Sequence, residues 1–283
     1  MSARTVLVTG ASSGFGLGIA RAFAERGWRV IATLRDPRRV PAELSGLPAI
    51  SMQIARLDLE RSEQIHAMAQ AVSETFDGKL DCLVNNAGFG VVGPFATLSE
   101  RQIRRQMEVN FFGTVLLTQT LLPALAHSAG RVITISSLVG EAGMPLSSIY
   151  SASKHALEGW SKAIRHELAP RGIQVAGVAP GGFRTRFGDN IEWGELANDE
   201  PVGRLQSENL RRIQRRRHAG PGADPQKVVR AVLALAESKR MQPIVRVGVD
   251  AKLVHLLYRT LPVSWAEAVL GMAFRHVLLK PQK

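Results

Sequence analysis

Residues 5–16 read Thr-Val-Leu-Val-Thr-Gly-Ala-Ser-Ser-Gly-Phe-Gly, and the fold follows from how this stretch is built. Thr5 to Val8 is a short apolar, β-branched run, the pattern of a buried strand. It leads straight into the glycine turn 9–16. A helical pattern from Leu17 to Arg26 follows, closed by Gly27 as a C-cap. Strand, glycine turn, helix is the context that a phosphate-binding turn requires. Gly10 allows the tight turn. Gly14 and Gly16 let backbone N–H groups approach a pyrophosphate at a helix N-terminus, whose dipole favours negative charge.

Outward from this unit, strand-like runs recur at 28–33, 51–57, 80–84, 131–135, 173–178 and 243–249. Helical patterns at 62–76, 99–127, 148–169 and 227–237 alternate with them. This alternation predicts an α/β fold, one doubly wound parallel sheet with helices on both faces, in one domain over 1–283. Residues 189–225 carry many charges and no clean period, which reads as an insertion over the substrate side. The tail 251–283 reads as an apolar-rich helical pair around Pro262, with Trp265, Val269, Met272 and Phe274.

Composition narrows the classes. Apolar residues make up 45% of 283, enough for a sizeable core. A single cysteine, Cys82, forms no internal disulfide, so a reduced, cytoplasmic protein without a signal peptide is expected. The most apolar stretch, 111–126, is interrupted by Thr114, Thr118, Gln119, Thr120 and Pro123, which favours a buried helix over a membrane span. The net charge of +12 is uneven: Arg204, Arg211, Arg212, Arg215, Arg216 and Arg217 face one acid, Glu208. Such a run is most simply a solvated face. Nucleic acid is therefore not the expected partner, while peripheral contact of the basic chain and its amphipathic tail with a membrane surface stays open.

The second strand usually ends in an acid that bonds the ribose 2′-hydroxyl of NAD. Here Leu34 stands at that position and Arg35 follows, which favours the 2′-phosphate of NADP(H) over NAD(H). Asp36 comes one residue late; it caps the Pro37 turn or keeps NAD as the alternative. Asp58 either accepts from an adenine amino group or caps the helix over 62–76. Asn85 and Asn86 tie down turns, and the small Ala87-Gly88 pair lets a ring lie against the backbone. Asn110 interrupts a helix, which signals a local irregularity or a specific amide contact.

The chemistry concentrates in 137–154. Tyr150 and Lys154 sit four residues apart, one helical turn on one face. A nearby ammonium favours the phenolate and lowers a phenol pKa from about 10. That makes a plausible proton-transfer pair for a hydroxyl or carbonyl. Ser137, leaving the strand over 131–135, offers a hydroxyl to the same oxygen.

TGASSGFG (9–16), NNAG (85–88), the Asn of VNFFG (110), Ser137, YSASK (150–154) and PGGFRT (180–185) stand in the order found in the short-chain dehydrogenase/reductase family, which residues 4–250 resemble. The resemblance implies a Rossmann-type domain and NAD(P)-dependent oxidation or reduction of an alcohol or ketone, with no metal. It implies that Tyr150 is the acid/base, Lys154 its tuner and ribose holder, Ser137 the carbonyl donor, and Asn110 the anchor of a water relay. It assigns Gly10, Ser12, Ser13, Gly14, Phe15 and Gly16 to the pyrophosphate turn. Asp58, Asn86, Ala87 and Gly88 go to the adenosine and nicotinamide side, and Pro180, Gly181 and Thr185 to the carboxamide side. Ser13 stands where many NADP-preferring relatives carry a basic residue, so the NADP expectation rests on Arg35.

Within the family, VIATLRDP, GFGVVGP and Gly-Met-Pro before YSASK look most like the 17β-hydroxysteroid and retinol dehydrogenase branch. That likeness implies a bulky lipophilic substrate lined by Val92, Leu138, Met144, Leu146 and Phe183, with Val91, Phe95, Val139 and Trp193 nearby. It also implies a homodimer or homotetramer. A β-ketoacyl thioester reductase and a catalytically silent cofactor sensor are the alternatives.

Overall fold

The computed structural model describes residues 3–48, 51–183, 185–194, 205, 208, 209, 211, 212 and 223–278. Its strands are β1 (Thr5–Val8), β2 (Arg29–Leu34), β3 (Met52–Arg56), β4 (Cys82–Asn85), β5 (Gly90–Val92), β6 (Arg131–Ile135), β7 (Gln174–Pro180), β8 (Ile191–Trp193) and β9 (Ile244–Val247). Seven of them form one parallel sheet in the order β3-β2-β1-β4-β6-β7-β9. The order reverses at β1 and β4, and the crevice beyond their C-terminal ends is where open α/β sheets bind ligands. The helices are α1 (Gly14–Ala24), α2 (Ala42–Ser45), α3 (Ser62–Phe76), α4 (Glu100–Met107), α5 (Gly113–His127), α6 (Ser148–Leu168), α7 (Gln226–Glu237), α8 (Val249–Thr260) and α9 (Val263–Leu278).

The strand period of two sorts the core into two layers. Val6 and Val8 point to one side, where Ile19 and Phe23 of α1 and Val228 and Val232 of α7 cover them. Leu7 points to the other, under Ile65 and Val72 of α3 and Leu117 and Leu121 of α5. Strands covered on both faces read as continuous apolar runs, which is why these short segments were legible. Cys82 is fully buried within the sheet, and burial pushes its thiol up to about 12.

Three differences from expectation bear on the site. The helix expected over 99–127 is broken: α4 begins in a Ser99–Gln102 capping box, a π-helical turn spans Glu108–Phe112, and α5 follows. Asn110 lies in that turn, so the expected irregularity is there. The helical run Glu100–His127 is long and apolar enough to cross a bilayer, but Leu117, Leu121 and Leu125 lie fully buried in the core beneath the sheet. Second, β5 and β8 pair in a separate two-stranded parallel ladder, so the charged insertion begins with a strand. Three residues per strand give too little pattern to recognise. Of the arginine run, Arg211 and Arg212 fall among the described residues; Arg204, Arg215, Arg216 and Arg217 lie outside them. Third, the helix over 62–76 takes Arg61, not Asp58, as its N-cap residue.

Candidate active site

Parallel strands deliver their ends to one edge, and there the chain encloses a cavity of about 320 Å³. The turn after β1 forms its floor. Gly10 and Gly14 have φ of +68° and +58°, a region that favours glycine. Ser13 occupies the N-cap position of α1 without a side-chain cap, so its hydroxyl leaves the first helical N–H groups to other partners. Such N–H groups and a helix dipole facing a cleft fit a diphosphate. Gly16 differs from its expected role. A Cβ there would lie 2.3 Å from the Gly10 carbonyl oxygen and 2.4 Å from the Asn86 amide nitrogen. It permits close helix–strand packing and does not line the cavity, whereas Ser12, Ser13, Gly14 and Phe15 do.

The turn is clamped by β4. Asn86 Nδ2 donates to the carbonyls of Thr9 (2.8 Å) and Gly10 (3.2 Å). The N–H groups of Asn86 and Ala87 both donate to Thr9 Oγ1 at 2.9 Å. Asn85 Nδ2 donates to Thr118 Oγ1. Asn86 therefore holds the glycine turn, as expected, whereas Asn85 ties the end of β4 to α5. Thr9 is a functional residue beyond the expected set, although a hydroxyl at a strand end is the ordinary signal for such a clip. Ala87 and Gly88 line the cavity beside it.

At the end of β2, Leu34 is buried and Arg35 is the first exposed residue, on the cavity wall. Asp36 turns to Arg38: its carboxylate accepts from the Arg38 N–H (3.1 Å) and Nε (2.8 Å), and these bonds hold it down near 2. Asp36 thus stabilises its own turn. Asp58 faces the cavity and accepts from the Glu60 N–H at 3.1 Å, while Gln64 Oε1 accepts from the Asp58 N–H. Its carboxylate closes an Asx turn, and the helix-capping alternative falls away.

Tyr150 and Lys154 stand on successive turns of α6 and both line the cavity, with Ser137 just beyond β6. Lys154 Nζ donates to the Ile135 carbonyl at 2.9 Å and lies 5.8 Å from the Tyr150 ring centre. The expected tuning of the phenol by lysine is not what sets its acidity here. Burial pushes Tyr150 up to about 12, and a hydrogen bond with Ser137 draws it down. Lys154 is itself desolvated, to about 8, against the opposing charge of Glu158. Glu158 is buried, with Ser136 Oγ donating to its Oε1 at 2.8 Å.

Asn110 is fully buried and off the cavity. Its Oδ1 accepts from the Phe89 N–H (3.1 Å), and its Nδ2 donates to the Phe89 carbonyl (3.0 Å) and Ser153 Oγ (3.1 Å). The side chain joins the loop after β4 to α6. Gln106 reinforces it by donating to the same Phe89 carbonyl. Ser153 and Gln106 escaped the sequence reading because polar helix residues carry no sign of facing inward.

On the opposite wall, Phe187 stacks obliquely on Tyr150 with ring centres 5.6 Å apart. Thr185 comes down over Gly14, and Pro180, Gly181, Phe183 and Thr185 all line the cavity. Asp250 of α8 secures this segment, accepting from the Gly182 N–H at 2.6 Å. Neither Phe187 nor Asp250 was anticipated; both depend on where distant segments land. Leu138, Val139 and Met144 line the cavity as expected. Val92 and Leu146 do not. They form a small buried cluster against Ile191, Trp193 and Phe274, so they support the wall from behind. Val91 is fully buried and Phe95 is exposed, so neither of them lines it.

The family model described as short chain dehydrogenase matches residues 4–195. The uncharacterized oxidoreductase YbbO of Escherichia coli K12 is 40% identical over 200 residues, spanning 70% of this chain and 72% of that protein. Human retinol dehydrogenase 8 is 32% identical over 249 residues, 84% of this chain and 79% of that one. Among solved structures, a short-chain dehydrogenase from Streptomyces avermitilis superposes with a TM-score of 0.82 at 33% identity, covering 95% of this chain and 100% of its own. One from Burkholderia cenocepacia, in complex with NADP, gives 0.71 at 26% identity, covering 99% of each chain.

Proposed function

The chain belongs to the short-chain dehydrogenase family, an NAD(P)-dependent oxidoreductase, and from that premise we propose that it moves a hydride between NADP(H) and a hydrophobic ketone or secondary alcohol. The observation that carries the proposal is a half-buried phenol, Tyr150, hydrogen-bonded to Ser137 in the same cavity as the N-terminus of α1 and an exposed arginine. The glycine turn takes the diphosphate, and Arg35 pairs with a 2′-phosphate where a buried leucine replaces the usual acid. A dinucleotide held there would supply or accept the hydride.

In the reducing direction, Ser137 and Tyr150 both donate to the carbonyl oxygen as negative charge develops on it. The Tyr150 proton passes to that oxygen and leaves the alcohol. Lys154, held by the Ile135 carbonyl, fixes the turn of α6 behind the phenol. Asn110 positions both walls through Phe89 and Ser153 and does not touch the reacting atoms. The apolar side chains of Leu138, Val139, Met144, Phe183 and Phe187 exclude water and suit a lipophilic substrate. Exposed Phe112 and Leu116 suit burial against a second copy in a homodimer or homotetramer, in a cytoplasmic enzyme.

The test is a fluorescence titration with NADPH and NADH, then turnover on steroid, retinoid, aliphatic ketone and β-ketoacyl thioester substrates. NADPH binds more tightly, and Arg35→Ala weakens it roughly 10- to 100-fold, the worth of a charge-assisted hydrogen bond, while NADH binding barely changes. Equal weakening of both cofactors removes the 2′-phosphate assignment. Turnover confined to the thioester removes the lipophilic-ketone assignment.

A further inference from the structure

The tail presents an apolar face that the catalytic reading leaves unused. On α8, Val249, Leu253 and Leu256 are 75%, 59% and 55% exposed. On α9, Trp265, Val269 and Met272 are 66%, 43% and 61% exposed. Each trio follows the spacing i, i+4, i+7, which places it on one side of its helix. Each helix is also held to the body from its other side. Ala251 and Ala266 are buried, and Phe274 packs against the cluster of Val92 and Leu146. The two helices are therefore anchored with large apolar side chains turned to solvent.

Cations flank this face. Lys252, Arg259 and Arg275 are exposed beside it. Residues 249–283 contain five lysines and arginines against Asp250 and Glu267, in a chain of net charge +12. Both acids are already engaged, Asp250 with the Gly182 N–H and Glu267 with the Tyr258 hydroxyl. An apolar face carrying leucine and tryptophan, edged by lysine and arginine, is the composition that lies in a lipid headgroup region. Self-association through the same face would bring two sets of uncompensated cations together; anionic lipid would neutralise them.

We propose that the outer face of α8 and α9 docks on an anionic lipid bilayer, with Leu253, Leu256, Trp265 and Met272 in the acyl boundary and Lys252, Arg259 and Arg275 at the headgroups. Behind the docked face, Phe274 packs on the same Val92–Leu146 cluster as Ile191, a residue of the cavity wall. The proposal does not depend on which substrate the enzyme takes, since vesicle binding and turnover are read separately.

The experiment is co-sedimentation of the full chain with large vesicles of phosphatidylcholine alone or with one quarter phosphatidylglycerol, at low and high salt. Binding to the anionic vesicles exceeds that to neutral ones roughly tenfold or more at low salt and falls as salt rises. Leu256→Glu and Trp265→Glu each abolish it, Lys252→Glu with Arg259→Glu weakens it, and turnover of a water-soluble carbonyl stays unchanged in all of them. Because these side chains are exposed, retained turnover certifies the fold. Equal binding by the glutamate variants, or no binding to either vesicle, overturns the proposal. Sedimentation velocity decides the competing occupant: association lost in Leu256→Glu without vesicle binding assigns the face to a second copy.

Discussion

Tyr150 holds its proton more tightly than a free phenol because burial outweighs the Ser137 hydrogen bond, pushing it up to about 12. At neutral pH the group carries its proton, the state a donor to a carbonyl oxygen needs. Tyr150→Phe removes that proton and keeps the ring against Phe187. Turnover is expected to fall at least roughly 100-fold, with NADPH titrating as in the wild type. A Phe variant with near-normal turnover would sink the acid assignment. The residue identities at this site were plain in the sequence, in Tyr150, Lys154 and Ser137. Their electrostatics were not, because desolvation depends on everything packed around a side chain.

Among elements, α1 and its glycine turn show how little room the site leaves. A methyl at Gly16 meets the Gly10 carbonyl and the Asn86 amide, neither of which can withdraw without opening the turn. Gly16→Ala is expected to lower stability by about 1–3 kcal/mol or more and to weaken cofactor binding. Gly143→Ala, with nothing within 4 Å of its added Cβ, is expected to stay within about 0.5 kcal/mol. Urea midpoints of the two variants check the contrast, and equal midpoints would mean that α1 shifts to accommodate the methyl. Elements with a strong period were legible: β1, α1, α6 and α7 lie close to where the pattern placed them. The β5–β8 ladder was not, since three-residue strands whose partners, Gly90 and Ile191, are 101 positions apart leave no local trace.

For the whole molecule, burying Lys154 couples folding to pH. Its folded value is about 8 against the usual 10.5, so between these the unfolded chain carries a proton that the folded chain lacks. Stability from this group therefore rises with pH across that window. Tyr150 acts oppositely from about 10 to 12, where the folded chain keeps a proton that the unfolded chain loses. Wild type is expected to gain on Lys154→Met in urea midpoint between pH 8 and 10. A constant difference between the two would mean that Lys154 is not desolvated. By itself the sequence determined the fold class, the strand–turn–helix unit at the glycine turn, the Tyr150/Lys154 spacing and the arginine at the end of the second strand, because each is a local pattern: a period, a spacing, or a residue type at a strand end. Only the tertiary structure decided that Gly16 serves packing, that Asn110 clamps two segments, that Phe187 and not Val92 walls the site, and that the tail keeps an apolar face outward. Burial and contact are set by which distant segments meet, and no window along the chain contains both partners.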